Sequence, residues 1–417
     1  MSNTAAAIIT IGDELLIGQV TDTNSGWIAQ RLNELGIDVL RRVAVGDEKD
    51  AIITALDGEL SNAEIVIITG GLGPTADDIT KPLLNEYFGG KLVVNEAVLA
   101  HLKELFSRRN RPFLERNMKQ AEVPDVCTVL FNKMGTAPGM WFERDGKVIV
   151  SLPGVPFEMM HIMQVEVLPR LKQRFAGEYI VHRSVITAGE GESFIAERIS
   201  DIEAGLPAHI RLAYLPGAGV VRLRLTGRGG DESTLVKDLE HYQREFAARL
   251  ANVVIATEDI PLEQILGRWF TASNATLGFA ESCTGGYVAH HITQVKGSSE
   301  YFKGSIVCYS NEIKEKILGV KKETIEQYGA VSEETVTEMA KAAIHVLDVD
   351  YSYAVTGIMS EGGESDRLEI GTVWMAVADK EHAVAKKFWF PYDRVRNKEM
   401  AVSMGMLMIW KFINRQP

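Results

Sequence analysis

The sequence predicts an α/β protein of three units: an amino-terminal three-layer, doubly wound, mostly parallel sheet, a small α+β middle unit and a carboxy-terminal α/β unit. Three observations carry this. Residues 5 to about 172, and again about 258 to the end, alternate strand-like apolar runs with amphipathic helical stretches. The apolar run EIVIIT (64–69) leads directly into GGLGPTADDIT (70–80), a strand-to-helix turn with three glycines and two adjacent carboxylates. A second turn of this kind, ESCTGG (281–286), follows the run TLGFA.

Taken in order, the first unit (1–175) predicts strands at 6–11, 38–45, 64–69 and 147–152, and helices at 24–35, 49–60, 77–87, 95–109 and 156–173. The middle unit (176–256) reads as strand 183–188, helix 192–203, strands 209–215 and 219–227, helix 232–250 and a short strand 253–256. The third unit (257–417) predicts strands near 276–281, 303–308, 351–356, 370–377 and 383–390, with helices near 262–273, 284–294, 332–347 and 394–413. Linkers fall near 174–180 and 256–261. In open α/β sheets ligands bind at the carboxyl ends of strands, where the turns after 6–11, 64–69 and 147–152 would converge.

Composition narrows the function. A chain of 417 residues is long enough for two or three domains with cores of their own. A net charge of −12 argues against broad nucleic-acid or anionic-membrane binding. Cys127, Cys283 and Cys308 are too few and too scattered for a disulfide framework or a zinc site, which fits a cytoplasmic protein. AAAIITI (5–11) has no basic segment before it, so it does not read as a signal peptide. MAVSMGMLMIW (400–410) is too short to span a bilayer and reads as a core helix.

Four segments of the first unit bring phosphate- or metal-binding residues to turns: GDELLIGQVTDTN (12–24), GGLGPTADDIT (70–80), NKMGTAPGM (132–140) and LPGVPFEM (152–159). Glycine turns let backbone N–H groups approach an anion, and a following helix N-terminus favours negative charge. Asp77 and Asp78 would repel a bare phosphate, so a divalent metal bridging carboxylates to a phosphorylated ligand is expected; Asp77 as a helix N-cap is the structural alternative. Asp13 and Glu14 belong to this set of carboxylates, with turn and helix-start roles as the structural alternative. RRNRP (108–112) is either a solvated helix end or an attractor of phosphate. Neither GxxxxGK[ST] nor GxGxxG occurs, which sets aside ordinary nucleotide-triphosphatase and Rossmann readings.

In the third unit, Ser282 ends an apolar strand and opens a helix, a geometry that exposes a hydroxyl and aims N–H groups at one spot. Lys314 lies 32 residues on, within YSNEIK (309–314). A serine needs a base, and a lysine serves when burial or nearby cations favour its neutral form. Tyr309 could orient the lysine or relay a proton. Cys283, with His290 and His291 as bases, is the competing nucleophile.

The four amino-terminal segments, with RNMKQAEVP (116–124) and RLAYLPGAGVVRLRLTGRG (211–229), resemble the CinA (competence/damage-inducible) family, whose first domain is similar to molybdopterin-binding domains. The resemblance implies metal-dependent hydrolysis of ADP-ribose to AMP and ribose 5-phosphate, using Mg, Mn or Co and possibly K. It implies phosphate or nucleotide contacts from Gly70, Gly71, Gly73, Thr75, Gly135 and Gly154, ribose or base contacts from Asp22 and Asn24, and metal ligation or water activation by Asp77, Asp78 and Glu158. The middle unit resembles a KH module, but its first turn, GEGES, is acidic, so a spacer or dimerising role is expected. AESCTGG (280–286), GSS (297–299), YSNEIK (309–314), YGAVSEE (328–334), VTGI (355–358) and GTVW (371–374) resemble the nicotinamide-nucleotide amidase (PncC-type) domain. That resemblance implies release of ammonia from nicotinamide mononucleotide without a cofactor. Ser282 would be the nucleophile and Lys314 the base, with Tyr309 assisting; Thr284, Gly285, Gly286, Thr356, Gly357, Arg394 and Arg396 would contact substrate. Where the family commonly has TGIAGPxGG, this chain has TGIMSEGG, with Met359 and Glu361 near the expected site and tyrosine for glycine in FPYDR. A homodimer is expected. The rival expectation is a molybdopterin-like binding protein linked to competence, with a non-catalytic or differently specific carboxy-terminal domain.

Overall fold

Apolar runs buried on both faces become the central strands of the first sheet. The computed structural model describes residues 4–75, 78–175, 177–360 and 368–415. The amino-terminal strands are β1 (Ala5–Ile11), β2 (Asp38–Val45), β3 (Ile65–Thr69), β4 (Leu92–Val94), β5 (Glu122–Pro124), β6 (Thr128–Leu130), β7 (Gly139–Arg144) and β8 (Lys147–Leu152). Six of them form a sheet in the order β2-β1-β3-β8-β7-β6, and β4 and β5 form a separate ribbon. The β1–β2, β1–β3 and β3–β8 pairs are parallel; β7 pairs antiparallel with β8 and with β6.

Alternate residues of these strands feed two cores. Ile8, Ile67 and Val150 meet Ile28, Leu32, Met159 and Ile162 on one face. Ile9, Ile68 and Ile149 meet Ile52, Leu56, Leu83 and Leu84 on the other. The expected three layers result, with each fully buried aliphatic side chain contributing about 1.5–3 kcal/mol. The helix expected from 77 begins only at Thr80, with Ile79 as a cap that makes no side-chain bond.

The middle strands β9 (Tyr179–Ala188), β10 (Ile210–Pro216), β11 (Val220–Gly229) and β12 (Val254–Ala256) are ordered β10-β11-β9-β12, with helices Glu192–Ala204 and Glu232–Arg249. In the acidic GEGES turn, both oxygens of the Glu190 carboxylate accept from Arg198 Nη1, at 2.8 and 2.9 Å. By compactness the chain divides into two units, Met1–His182 with Ala208–Ile210 and Thr226–Leu239, and Arg183–Pro207 with Arg211–Leu225 and Glu240–Pro417.

The last strands are β13 (Leu277–Glu281), β14 (Phe302–Val307), β15 (Tyr351–Gly357), β16 (Thr372–Ala378) and β17 (Ala383–Trp389), ordered β14-β13-β15-β16-β17. β13 runs parallel to β14 and β15, while β16 and β17 continue antiparallel. Helix Arg394–Ile413 covers one face through Ala401, Val402, Met406 and Ile409. Helix Glu333–Leu347 covers the other through Val336, Met339, Ala340 and Ala343. MAVSMGMLMIW thus lies in a core helix. No helix among the described residues is long and apolar enough to cross a membrane. Because β14, β13 and β15 are parallel, the segments that follow them leave the sheet at one edge.

Candidate active site

That edge gathers Ser282, Lys314 and Thr356. Ser282 follows β13 directly, and its N–H donates to Val355 O at 3.0 Å, extending the parallel ladder. Lys314 rides on a short helix, Asn311–Lys316, after β14. The Ser310 hydroxyl caps that helix by accepting from Ile313 N at 3.3 Å. Lys314 is 2% exposed. Its Nζ donates to Ser282 Oγ and to Cys308 O, both at 3.1 Å. Cys308 N in turn donates to Glu281 O at 2.8 Å, so the β13–β14 register ties the lysine's support to the residue before the serine.

Ser282 and Lys314 open into a cavity of about 440 Å³. Ala330, Val331, Ile358 and Met359 give it an apolar wall; Tyr309, Asn311, Ser360 and Arg394 give it a polar end. Arg394 spans that end, donating to Tyr309 Oη at 2.7 Å and to Ser360 Oγ at 2.8 Å. Thr356 donates its hydroxyl to Ala330 O at 2.8 Å, which fixes the end of β15. Cys283 is buried, and burial pushes its thiol up to about 12.

The amino-terminal unit carries two smaller cavities that share Ile11, Glu14 and Gly154. The larger, about 370 Å³, is lined by Gly70, Gly71, Gly73, Asp78, Gly154 and Glu158, among others. The Asp78 carboxylate folds back into the glycine turn. It accepts from Gly73 N at 2.6 Å, Thr75 N at 2.9 Å and Thr75 Oγ1 at 2.5 Å. Gly71 has φ +66°, and a Cβ there would collide with Thr80 Oγ1, so this turn requires glycine. Glu158 accepts from Asn132 Nδ2 at 2.6 Å, and burial raises its carboxyl above the usual range. The smaller cavity, about 130 Å³, is lined by Asp22 and Asn24.

Family models match the chain in three stretches: "Probable molybdopterin binding domain" over residues 7–173, "Damage-inducible protein CinA KH domain" over 182–256 and "CinA C-terminal domain" over 259–413. A "CinA-like protein" of Flavobacterium psychrophilum is 42% identical over 98% of this chain and 98% of its own length. The chain belongs to the CinA family. A "CinA-like protein" of Cytophaga hutchinsonii is 44% identical over 99% of this chain and 97% of its own, and a "Putative competence-damage inducible protein" of Acetivibrio thermocellus is 38% identical over 98% of each. The crystal structure of the competence damage-inducible protein A of Klebsiella pneumoniae matches 37% of this chain and 95% of that chain, at 28% identity and a TM-score of 0.36.

In this CinA-family chain the expected amidase residues assemble unevenly. Ser282, Lys314, Tyr309, Thr356, Gly357 and Arg394 share one cavity. Arg396 does not join them: its Nη1 pairs with Glu399 at 2.8 Å, because two residues along a helix is more than half a turn. Tyr309 is half-exposed, and its hydroxyl engages Arg394 rather than the lysine. Thr284, Gly285 and Gly286 form the turn after Ser282, but the helix that follows does not offer free N–H groups. Glu281 Oε2 accepts from Val288 N at 3.0 Å and Oε1 from Ala289 N at 2.9 Å. The N–H groups of Cys283, Thr284 and Gly286 have no backbone partner among the described residues. Neither histidine reaches Cys283 as a base: His291 Nδ1 bonds Glu263 at 2.8 Å, and His290 Nε2 bonds Gln294 at 2.9 Å. Met359 belongs to the apolar core as well as the cavity wall. Glu361 lies outside the described residues.

In the amino-terminal unit the expected residues are engaged by the chain itself. Asp22 caps helix Thr23–Glu34, accepting from Ser25 N at 2.9 Å, and also takes the Ser25 and Thr10 hydroxyls. Asn24 donates to Gly154 O at 2.7 Å and Thr69 Oγ1 at 3.2 Å, bracing two strand ends against each other. Gly135 packs against the Glu158 carboxylate, and Asn132, which stands in the expected segment 132–140 but is not singled out there, orients both. An Asn two to three residues before a glycine turn was the available signal. Asp77 lies outside the described residues. The carboxylates that are described fit a metal poorly: no three His, Cys, Asp or Glu side chains among them are grouped to hold one, and Asp78 already serves the loop.

Proposed function

We propose that the carboxy-terminal domain is a Ser–Lys amidohydrolase that converts nicotinamide mononucleotide to nicotinate mononucleotide and ammonia. The observation that carries it is the buried Lys314 Nζ at 3.1 Å from Ser282 Oγ, at the floor of a cavity with an apolar wall and an arginine-bearing end. Burial disfavours the charged form of an amine, and a neutral Nζ can accept the Oγ proton as Oγ attacks the carboxamide carbon. The same ammonium then protonates the departing nitrogen. Water, deprotonated by Lys314, splits the acyl-serine and regenerates both side chains. The developing oxyanion would be received by N–H groups of the turn Cys283–Gly286. Arg394 suits a phosphate monoester at the other end of the cavity.

Ammonia release in the presence of a chelator tests this. Nicotinamide mononucleotide should be turned over and nicotinamide riboside, which lacks the phosphate, only weakly. Equal rates on both would remove the phosphate-reading role of Arg394, and no ammonia from either would remove the amidase assignment.

A second activity, cleavage of ADP-ribose to AMP and ribose 5-phosphate, is proposed for the amino-terminal cavity. The favouring observation is that the N–H groups of Gly73 and Thr75 already hold a carboxylate, that of Asp78, one on each oxygen. A diphosphate would have to displace that carboxylate, and Glu14, Asp47 and Glu158 line the same cavity, so the substrate would have to bring a neutralising cation with it rather than find one held by the protein. Formation of AMP only when a divalent cation is added is the expected result; binding of ADP-ribose without any cleavage under those conditions would leave a binding domain.

A further inference from the structure

We infer that Glu281, for which the site above has no role, is a positioning residue that holds the nucleophile's turn in its reactive shape. The inference rests on Ser282 being a nucleophile, as proposed above. Glu281 is the last residue of β13 and is fully buried. Its side chain leaves the strand on the opposite face from that of Ser282. Four donors converge on its carboxylate. Oε2 accepts from Thr284 Oγ1 at 2.8 Å and Val288 N at 3.0 Å; Oε1 accepts from Ala289 N and Ser305 Oγ, both at 2.9 Å.

These donors come from three places: the turn itself, the start of helix Tyr287–Thr293, and β14. One carboxylate therefore pins both ends of the Ser282–Gly286 turn to the strand that carries Lys314's helix. A buried carboxylate is tolerated because every bond it accepts offsets its lost hydration. It also occupies the helix N-terminus with a protein anion, which leaves the turn's own N–H groups for the substrate.

The chemistry explains why this position holds glutamate and not glutamine. Each carboxylate oxygen receives one backbone N–H, and a backbone N–H cannot reverse its direction. A glutamine amide would set its NH₂ against Val288 N–H or against Ala289 N–H, whichever way it is turned. Glu281→Gln is thus nearly isosteric yet cannot satisfy the site.

The test uses the full chain and two readouts: the rate at which a fluorophosphonate probe labels Ser282, and kcat and KM for nicotinamide mononucleotide. Glu281→Gln should slow labelling and kcat by about 10-fold to 100-fold with KM little changed, since the Arg394 end of the cavity is untouched. Ser305→Ala, which removes one donor from β14, should fold even where Glu281→Gln does not, and should slow labelling by about threefold. Unchanged labelling in both variants overturns the role of Glu281. A wild type that is labelled at Ser282 but releases no ammonia from the nucleotide defeats the substrate assignment alone, and the labelling ratio still decides the role of Glu281.

Discussion

The two cavities differ in what occupies their anion-binding groups. In the carboxy-terminal domain a buried carboxylate, Glu281, takes the helix N–H groups, and the Ser282–Lys314 hydrogen bond stands formed beside it. In the amino-terminal domain Asp78 takes the glycine-turn N–H groups from within the cavity itself. On the functions proposed above, the first arrangement is organised before substrate arrives, and the second would have to rearrange to admit a phosphate. Preorganisation of this kind is where catalytic power resides, so the carboxy-terminal site should behave as a self-sufficient catalyst and the other as a conditional one.

The largest effect that could break this contrast is at Lys314. Lys314→Ala should lower kcat for ammonia release by about 100-fold to 10,000-fold. Lys314→Arg should not restore it, because a guanidinium does not give up its proton. Rescue by arginine would mean that the side chain acts only through its charge.

Next in size is Arg394. Arg394→Ala should raise KM for the nucleotide by about 10-fold to 100-fold, the worth of one charge-assisted bond, with a smaller change in kcat. Arg396→Ala should leave both parameters unchanged, since Arg396 pairs with Glu399 outside the cavity. Equal losses in the two variants would indicate a diffuse electrostatic effect.

The smallest effect sharpens the amino-terminal side. Burial raises the Glu158 carboxyl, so the folded protein holds this proton at pH values where the unfolded chain has lost it. Stability therefore falls as pH rises from the usual glutamate range through the raised value, and is not regained above it. Glu158→Gln, which can still accept from Asn132, should remove that slope and gain stability over wild type as pH rises, by at most about 1 kcal/mol in this partly exposed position. Thermal midpoints measured between pH 4 and pH 7 would read it; parallel curves would show that Glu158 ionises freely.

The limits of what could be read from the sequence have physical causes. β1, β3 and β8 were legible because strands buried on both faces are continuous apolar runs. β7 was missed because Gly139–Arg144 reads as the exit of a turn, and β4 because its three residues are all exposed. Helix Asn311–Lys316 spans fewer than two turns, too few for a period, although its lysine was identified. The helix after the glycine turn begins late because Asp78 spends its carboxylate on Gly73 and Thr75 instead of on a cap. Ser282 and Lys314 stood in motifs, but Glu281 read as the end of a strand. Thr284, Val288 and Ala289 reach it only once the turn and helix Tyr287–Thr293 have formed, and Ser305 only when β13 and β14 pair. The separation of Arg394 from Arg396 likewise depended on the helix starting at Arg394.

On the proposed mechanism Ser282, and not the neighbouring Cys283, attacks the substrate. The direct measurement is ammonia release from nicotinamide mononucleotide by Ser282→Ala and Cys283→Ala proteins assayed side by side, with folding checked by circular dichroism. Burial holds the Cys283 thiol near 12, so it is protonated and unreactive at neutral pH. Cys283→Ala should keep activity within about threefold of wild type, whereas Ser282→Ala should lose about a thousandfold or more. An active Ser282→Ala protein beside an inactive Cys283→Ala protein would contradict that mechanism.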